Sequence, residues 1–228
     1  RLSRLVAMFT APIYRTSPGT GPRVRGHPTL GAMTALPPLR YLTSADVTAA
    51  MPALPARLAL AEQALRGLAG AAELPSKIGV HPRPSASFAH AMPAFLPGEA
   101  ADGTADRLGM KWVSGNPANN AVGLLGIYGV LLLNDPLTTV PIAILDAGPI
   151  TAERTAAVSG VAIRAFVPAI TGGGAPRAAL IGAGVQGRSH LPVLGHVLPG
   201  VALAVFDRDR VRAETLADVA RLTPGIAA

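Results

Sequence analysis

Several residue types and segments are absent from this chain of 228 residues, or scarce in it, and each absence excludes a class of protein. There is no cysteine, so disulfides, thiolate nucleophiles and cysteine metal sites are excluded, which fits a cytosolic protein. Lysine is scarce, because only Lys77 and Lys111 among the 20 basic side chains are lysines. The best candidate for a membrane span, 121–133, has 13 residues and three glycines, which is too short to cross a bilayer.

Acidic residues are missing from residues 1–40, which carry six arginines. The charges of the remaining chain nearly cancel, so the formal net charge of +7 belongs mostly to this first segment. Its arginines are not interleaved with aromatic residues, so the charge does not predict nucleic-acid binding. We interpret 1–38 as a disordered, basic, Arg/Pro-rich extension, with a transit-type peptide as the alternative.

The rest of the chain is expected to form two domains, 39–170 and 171–228, with the boundary at the chain-breaking sequence TGGGAP. In the first domain, the apolar pattern predicts strands at 40–42 and 108–115 and a hairpin around the sequence NDPLTT. NPANN is expected to be a turn-rich loop. A capping residue, an early Glu and Ala-rich helical spacing predict a long helix that begins at Thr151.

The second domain begins with a pattern typical of dinucleotide-binding folds. An apolar strand leads into Gly182-x-Gly184-x-x-Gly187 and a helix, and a second apolar strand ends at Asp207, 20 residues after Gly187. The glycines permit a tight turn, close approach of the backbone to a pyrophosphate, and close packing of helix on strand. The pyrophosphate would lie at the helix N-terminus, and Asp207 would accept hydrogen bonds from ribose hydroxyls.

Asp207 favours NAD, because a carboxylate repels the 2′-phosphate of NADP, whereas Arg208 and Arg210 can accommodate that phosphate. Only two predicted strand–helix units follow the boundary, fewer than a complete dinucleotide fold requires. We therefore expect 171–228 to be the N-terminal part of a Rossmann domain that continues beyond Ala228. The fold class predicted is α/β, a partial Rossmann domain preceded by an α+β domain.

Motifs along the whole body of the chain resemble those of the ornithine cyclodeaminase/μ-crystallin family. They are HAMPAF, GMKWVSGNPANN, LLLNDPLTTVPIAILDAGPITAERTAAVS, IGAGVQGRSH and VFDRD, which occur in the family's order. The resemblance covers 39–228 and implies a substrate-binding and dimerisation domain beside a Rossmann domain. It also implies a homodimer and an amino-acid or cyclic-imine substrate, with no membrane or nucleic-acid partner.

The resemblance also implies roles for individual residues. Lys111 matches the family's active-site lysine, which holds the substrate near its carboxylate and reacting carbon. Lys77 stands where many members have an arginine that grips that carboxylate, and Met92 lies in the MP motif that lines the substrate site. Arg154, expected in the first turn of its helix, matches an arginine that contacts the cofactor pyrophosphate. The implied cofactor-binding positions are Arg154, Gly182, Gly184, Val185, Gln186, Gly187 and Asp207.

The activity implied is that of an NAD-dependent, ornithine cyclodeaminase-like enzyme, which converts ornithine to proline with release of ammonia. The alternatives are an amino-acid dehydrogenase or a ketimine or pyrroline-carboxylate reductase of the same family, and a non-catalytic binding protein. The family's catalytic aspartate is expected beyond Ala228. His81 and His90 are candidate acid–base groups without metal-like spacing, and Ser159 is expected to be a packing residue because no base lies at a suitable spacing.

Overall fold

The computed structural model describes residues 37–84, 86–171 and 174–227, so the basic extension expected at 1–38 lies almost wholly outside the described residues. In these ranges the strands form two separate sheets, accompanied by five α-helices and one 3-10 helix. None of the described helices combines the length and the apolar character that a membrane crossing requires.

The first sheet contains six strands. They are β1 (Arg40–Leu42), β2 (Ile78–Val80), β3 (Phe88–Leu96), β4 (Arg107–Gly115), β5 (Ile127–Asn134) and β6 (Pro141–Asp146). Their order across the sheet is β1-β6-β5-β4-β3-β2, with β1 parallel to β6 and all other neighbours antiparallel. The hairpin predicted around NDPLTT is confirmed as β5 and β6.

The two faces of this sheet have different surroundings. We call the face that packs against helices the inner face, because it carries the buried residues Ala143 and Leu145. The opposite, outer face is apolar and remains open to solvent. Its exposed apolar residues are Tyr41, Ile78, Val80, Trp112, Tyr128 and Val130.

Two short helices follow β1: α1 (Ser44–Ala49) and α2 (Leu54–Gly67). Thr43 caps α1, since its hydroxyl accepts a hydrogen bond from the Asp46 amide at 3.3 Å while the Asp46 carboxylate accepts one from the Thr43 amide at 2.9 Å. Pro55 lies in the first turn of α2, where a proline breaks no helical hydrogen bond.

The long helix α3 (Ala147–Thr171) begins four residues before the predicted start at Thr151. The predicted start was wrong because Thr151 was taken as the capping residue. The Asp146 carboxylate instead accepts a hydrogen bond from the Gly148 amide at 2.7 Å, which satisfies a donor of the first helical turn. Arg154 therefore lies about two turns inside α3, not in its first turn.

Helix α3 joins the first sheet to the second. Its small buried residues Ala156 and Ala157 form one apolar cluster with Leu58 of α2 and Val193 of a helix that accompanies the second sheet. A salt bridge between Arg57 of α2 and Glu153 of α3 lies beside this cluster. Glu153, the early Glu of the predicted helix, therefore pairs with an arginine of a neighbouring helix.

The second sheet has three parallel strands in the order β7 (Arg177–Ile181), β8 (Val201–Phe206) and β9 (Ile226–Ala227). Two helices, α4 (Val185–Val197) and α5 (Arg210–Arg221), follow β7 and β8 and cover one face. The core between them and the sheet is apolar and contains Leu180, Leu191, Leu203, Leu216 and Ala220.

The sequence NPANN, predicted as a loop, forms most of the 3-10 helix Pro117–Val122. The Asn116 side chain caps it by accepting a hydrogen bond from the Ala118 amide at 3.0 Å. This short helix begins two residues after β4, the strand that carries Lys111, ends at Gly115.

Candidate active site

Both lysines of the chain lie in one row across the inner face of the first sheet. Lys111 is on β4 and pairs with Met92 on β3. Lys77 directly precedes β2, whose first residue Ile78 pairs with Ala91, so continuing this register by one residue places Lys77 opposite Met92. Residues that pair across a sheet share a face. We call Lys77, Met92 and Lys111 the lysine row.

The beginning of α3 crosses the same face next to the lysine row. Ile150 packs on a cluster that includes Leu131, the residue paired with Lys111 on the other side. Arg154 follows Ile150 by four residues and therefore lies on the same side of the helix. Burial of Lys111, and then the positive charge of Arg154, lower the pKa of the Lys111 ammonium below its usual value.

The lysine row and Arg154 concentrate positive charge without a carboxylate to balance it. The salt bridges among the described residues involve other side chains, at Arg57, Arg66, Arg210, Arg212 and Arg221. A half-buried ammonium beside a guanidinium is unfavourable unless an anion binds there. The arrangement therefore suits a ligand that brings its own negative charge, such as the carboxylate of an amino acid.

Two aromatic rings of β3 lie on the inner face beyond the lysine row. Phe88 and His90 alternate with Met92 along the strand, and their rings stack with centroids 4.6 Å apart. The neighbouring strands carry glycine opposite both rings, since Gly79 pairs with His90 and Gly115 pairs with Phe88. A Cβ at either glycine would collide with the ring, so these glycines let the rings lie across the sheet.

In the second sheet, the glycine motif forms the turn between β7 and α4. Gly182 has φ +104°, a conformation that favours glycine, and its amide donates to the Phe206 carbonyl at 2.8 Å. A Cβ on Gly187 would collide with the Gly182 carbonyl oxygen, so only glycine lets α4 pack this close to the turn. Gly184 is the N-cap of α4 and has no side chain to cap the free amides.

The N-terminus of α4 has the features that a pyrophosphate requires. A Cβ at Gly182 or Gly184 would meet no atom within 4 Å, so the space in front of the turn is open. Val185 and Gln186 are exposed in the first turn of the helix, which contains no acidic residue. Free backbone N–H groups and the helix dipole favour an anion at such a place. These residues fit a dinucleotide.

Asp207 lies at the end of β8 and closes the same turn. Its carboxylate accepts hydrogen bonds from the Ala183 amide at 2.7 Å and from the Asp209 amide at 2.9 Å. The bonds from Ala183 and then from Asp209 lower the pKa of the Asp207 carboxyl. The carboxylate is thus ionised and fixed, and each oxygen keeps acceptor capacity for a ribose hydroxyl.

One contact between α3 and α4 was not foreseen from the sequence. Ser159 of α3 bonds to Nε2 of His190 on α4 at 3.0 Å, although 31 residues separate them. The other ring nitrogen, Nδ1, donates to the carbonyl of Gln186 in the first turn of α4 at 2.6 Å. Ser159 is therefore more than a packing residue: with His190, it links α3 to the first turn of the dinucleotide helix.

The predicted site residues fall into two groups. The structure brings Met92, Lys111 and Arg154 together on the inner face of the first sheet, and the register of β2 extended by one residue adds Lys77 to them. It brings the three motif glycines, Val185, Gln186 and Asp207 together at the carboxyl end of the second sheet. Among the described residues, no hydrogen bond or salt bridge joins Arg154 to the dinucleotide turn, so its contact with a pyrophosphate stays a prediction.

Comparison with known proteins identifies the family. The sequence profile of the ornithine cyclodeaminase/mu-crystallin family matches residues 40–227. The chain belongs to this family. The resemblance inferred from the ordered motifs is therefore confirmed.

Individual relatives agree with this membership. The nodulation efficiency protein NfeD of Rhizobium meliloti is 38% identical over 192 residues, which cover 82% of this chain and 57% of the relative. A pyrroline-2-carboxylate reductase of Thermococcus litoralis, solved with NADH and L-proline, is 27% identical with a TM-score of 0.71, covering 83% of this chain and 57% of that one.

An archaeal alanine dehydrogenase, solved as a dimer with bound NAD, is 25% identical with a TM-score of 0.70, covering 83% of this chain and 56% of that one. This chain thus spans little more than half the length of the relatives it matches. The α/β fold class with a Rossmann-type part, predicted from the sequence, is confirmed by both solved structures.

Proposed function

We propose that the protein carrying this chain is an NAD(H)-dependent oxidoreductase that transfers hydride at the α-carbon of an amino acid or its imine. The observation that carries this proposal is that the lysine row and Arg154 bring positive charges together and take part in no salt bridge among the described residues. The glycine turn and Asp207, on the second sheet, fit a dinucleotide. The Thermococcus reductase, solved with NADH and L-proline, supports both parts.

In this mechanism the residues of the chain position the substrate and control its charge. Lys77 and Lys111 hold the substrate carboxylate, which restrains the α-carbon in an orientation for reaction. Because the pKa of Lys111 is lowered, its ammonium can also give a proton to a nearby substrate atom more readily than an exposed lysine can. When bound, the nicotinamide supplies or accepts the hydride.

Gly182, Gly184, Val185 and Gln186 would hold the pyrophosphate at the α4 N-terminus, and Asp207 would hold the adenosine ribose. NAD is favoured over NADP because Asp207 is ionised at neutral pH and turned toward the glycine turn by the Ala183 amide. Arg154 would contribute positive charge between the substrate carboxylate and the cofactor.

Cyclodeamination of ornithine is the second candidate function. It requires the same carboxylate grip and the same cofactor, but it returns the hydride to the substrate, so NADH does not accumulate. An assay with ornithine and NAD separates the two functions: proline and ammonia without net NADH indicate a cyclodeaminase. Net oxidation of NADH with pyrroline-2-carboxylate, or with pyruvate and ammonia, indicates a reductase or a dehydrogenase.

The role of Lys111 is tested with the variant Lys111→Ala. We expect kcat to fall by about 100- to 1000-fold, as for loss of a preorganised charged donor, while the Kd for NADH is unchanged. Arg107→Ala is a matched control, because Arg107 is an exposed cation at the start of the same strand. A Lys111→Ala enzyme with wild-type kcat would refute the proposed site.

We also propose that two copies of the chain pair through the outer face of the first sheet. This face exposes several large apolar side chains, and an exposed apolar patch of this kind is typical of an interface. The dimeric archaeal alanine dehydrogenase supports this assembly. Trp112 lies on the outer face and is the only tryptophan, so its fluorescence reports on pairing.

We expect the Trp112 emission to shift to shorter wavelength as protein concentration increases and the dimer forms. Val130→Asp, directly opposite Trp112, should produce a monomer in light scattering and abolish this shift. Leu60→Asp, an exposed apolar position on α2, is the control and should stay dimeric. A monomeric wild type at all concentrations would exclude this interface.

A further inference from the structure

A pocket continues the inner face of the first sheet beyond the lysine row. Its volume is about 330 Å³, and the turn between β2 and β3 forms its walls. The stacked rings of Phe88 and His90 line it, together with His81, Arg83 and Ser87. The pocket thus belongs to the same face as the carboxylate site and is not a separate surface feature.

The distance between the lysine row and the pocket matches the length of an amino-acid side chain. His90 lies two residues before Met92 on β3, and two residues of a strand span about 6.6 Å. Lys77 lies close enough that its charge lowers the pKa of His90, after burial and ahead of the charge of His81. A substrate whose α-carboxylate is held by the lysines can therefore extend its side chain past His90 into the pocket.

The pocket offers positive charge and hydrogen-bond donors and no acidic group. Its lining contains Arg83, His81 and His90, and neither Asp nor Glu. The charged and titratable groups that act on His90 from the neighbouring strand, Lys77 and His81, are also basic. Arg83 takes part in none of the salt bridges in the part of the chain that the structure describes. The pocket therefore offers no negative charge to pair with a substrate amine, whereas Arg83 can pair with a substrate carboxylate.

Ser87 provides an independent sign that the pocket binds a polar group. The residue is 6% exposed, and within the described ranges its hydroxyl has no hydrogen-bond partner. A buried hydroxyl without a partner lowers the stability of a protein by about 1–3 kcal/mol in general. A ligand or a water molecule that bonds to the hydroxyl would remove this cost. Ser87 lines the same pocket as Arg83.

We infer that this pocket receives the far end of the substrate side chain and selects a side chain that ends in a carboxylate. The inference rests on the proposed function, since the lysine row must hold the α-carboxylate for the side chain to reach the pocket. Arg83 pairs with the distal carboxylate, Ser87 and His81 donate hydrogen bonds to it, and the Phe88–His90 rings pack along the methylene groups.

The test compares substrates in NADH-dependent reduction by the complete protein, with excess ammonia and three 2-oxo acids. 2-Oxoglutarate ends in a carboxylate, pyruvate has a methyl group, and 5-amino-2-oxopentanoate ends in an amine and cyclises to pyrroline-2-carboxylate. We expect kcat/KM for 2-oxoglutarate to exceed that of both others by about tenfold or more, as in sites built around a polar group of the substrate.

Arg83→Gln should lower the ratio of kcat/KM for 2-oxoglutarate to that for pyruvate by about tenfold, through KM, because a charge-assisted hydrogen bond is lost. Arg66→Gln, an exposed arginine on α2 that pairs with Glu62, should leave this ratio unchanged. Ser87→Ala should raise KM for 2-oxoglutarate and also raise the Tm of the free protein, because it removes an unpaired buried hydroxyl.

The outcomes separate the inference from the proposed function. Reduction of pyruvate or of the cyclic imine with a kcat/KM equal to or above that of 2-oxoglutarate overturns the inference alone. An unchanged ratio in Arg83→Gln also overturns it. Failure to reduce all three compounds overturns the proposed function, and the inference with it.

Discussion

The two sheets of this molecule carry their functional groups in different ways. In the six-stranded, mostly antiparallel sheet, the groups are side chains that stand in rows on one face, such as Lys77, Met92 and Lys111. In the three-stranded parallel sheet, they lie at the strand ends and are mainly backbone amides of the turn after β7. Substitutions in the first sheet therefore alter chemistry, while substitutions in the second alter backbone geometry.

The sheets also differ in what their open faces require. Antiparallel sheets commonly leave one face in contact with solvent or with another chain, whereas parallel sheets are normally covered on both faces. In the second sheet, Ile181 and Phe206 are exposed on the side away from α4 and α5. Both sheets thus expose an apolar face, but exposure of this kind is less usual for a parallel sheet.

The largest effect on stability is expected from Gly187→Ala, which tests whether backbone packing limits the residue types allowed in the second sheet's turn. The added Cβ would collide with the Gly182 carbonyl, so we expect a loss of about 2–3 kcal/mol of unfolding free energy, as for overpacked sites. Urea unfolding gives this value, and NADH fluorescence titration should show loss of binding.

Gly184→Ala is the matched control for this prediction. Its Cβ would point into open space at φ −83°, so the unfolding free energy should change by less than about 1 kcal/mol. NADH affinity should still fall by about tenfold, because the added methyl group occupies the pyrophosphate's approach. Equal stability of the two variants would contradict the packing role assigned to Gly187.

A smaller effect is expected from Lys111→Met, which tests whether chemistry dominates on the inner face. The substitution removes a half-buried charge beside Arg154, so the free energy of unfolding at pH 7 should rise, by less than about 1 kcal/mol because the side chain is partly exposed. Activity should be lost at the same time, so this variant is more stable and inactive.

The difference in stability between the wild type and Lys111→Met should depend on pH, because proton binding by Lys111 is linked to folding. Folding lowers the pKa of Lys111, so the unfolded chain binds more protons at pH values between the folded and unfolded pKa. The wild type therefore gains stability relative to Lys111→Met as pH rises through the folded pKa toward about 10.4. Parallel urea titrations of the two proteins at several pH values measure this difference in stability. If the advantage of Lys111→Met over the wild type increased with pH, Lys111 would not be desolvated in the folded protein.

The smallest effect is expected where α3, beside the first sheet, contacts α4 of the second. The bond between Ser159 and His190 should give a coupling free energy of about 0.5–1 kcal/mol in a double-mutant cycle with Ser159→Ala and His190→Ala. Both single variants should also weaken NADH binding slightly, since His190 holds the Gln186 carbonyl. Additive effects of the two substitutions would show that the bond contributes nothing.

Local patterns made much of this fold and site predictable. The turn glycines and Asp207 have a fixed spacing because a tight strand–turn–helix unit allows few residue types, and the structure forms that unit between β7 and β8. The β5–β6 hairpin was likewise recognisable, because polar turn residues separate two apolar runs. In such cases the interacting residues are close in the sequence.

Features that depend on distant residues were missed. The start of α3 was placed at Thr151 because Thr can cap a helix, whereas the Asp146 side chain bonds to the first turn four residues earlier. The Ser159–His190 bond required the crossing of two helices to be known. His81 and His90 were recognised as candidate acid–base groups, but the pocket that they line depends on strand pairing that the sequence does not specify.

The scarcity of lysine also has a practical consequence. Within residues 1–228, the only side-chain amines are those of Lys77 and Lys111, which flank Met92. In this part of the protein, an amine-selective acylating reagent should therefore modify side chains only at the candidate site. At a given pH, Lys111 should react faster than an ordinary exposed lysine, because its lowered pKa leaves more of the amine unprotonated. Peptide mass mapping with and without a bound carboxylate would then show occupancy directly, with no engineered label.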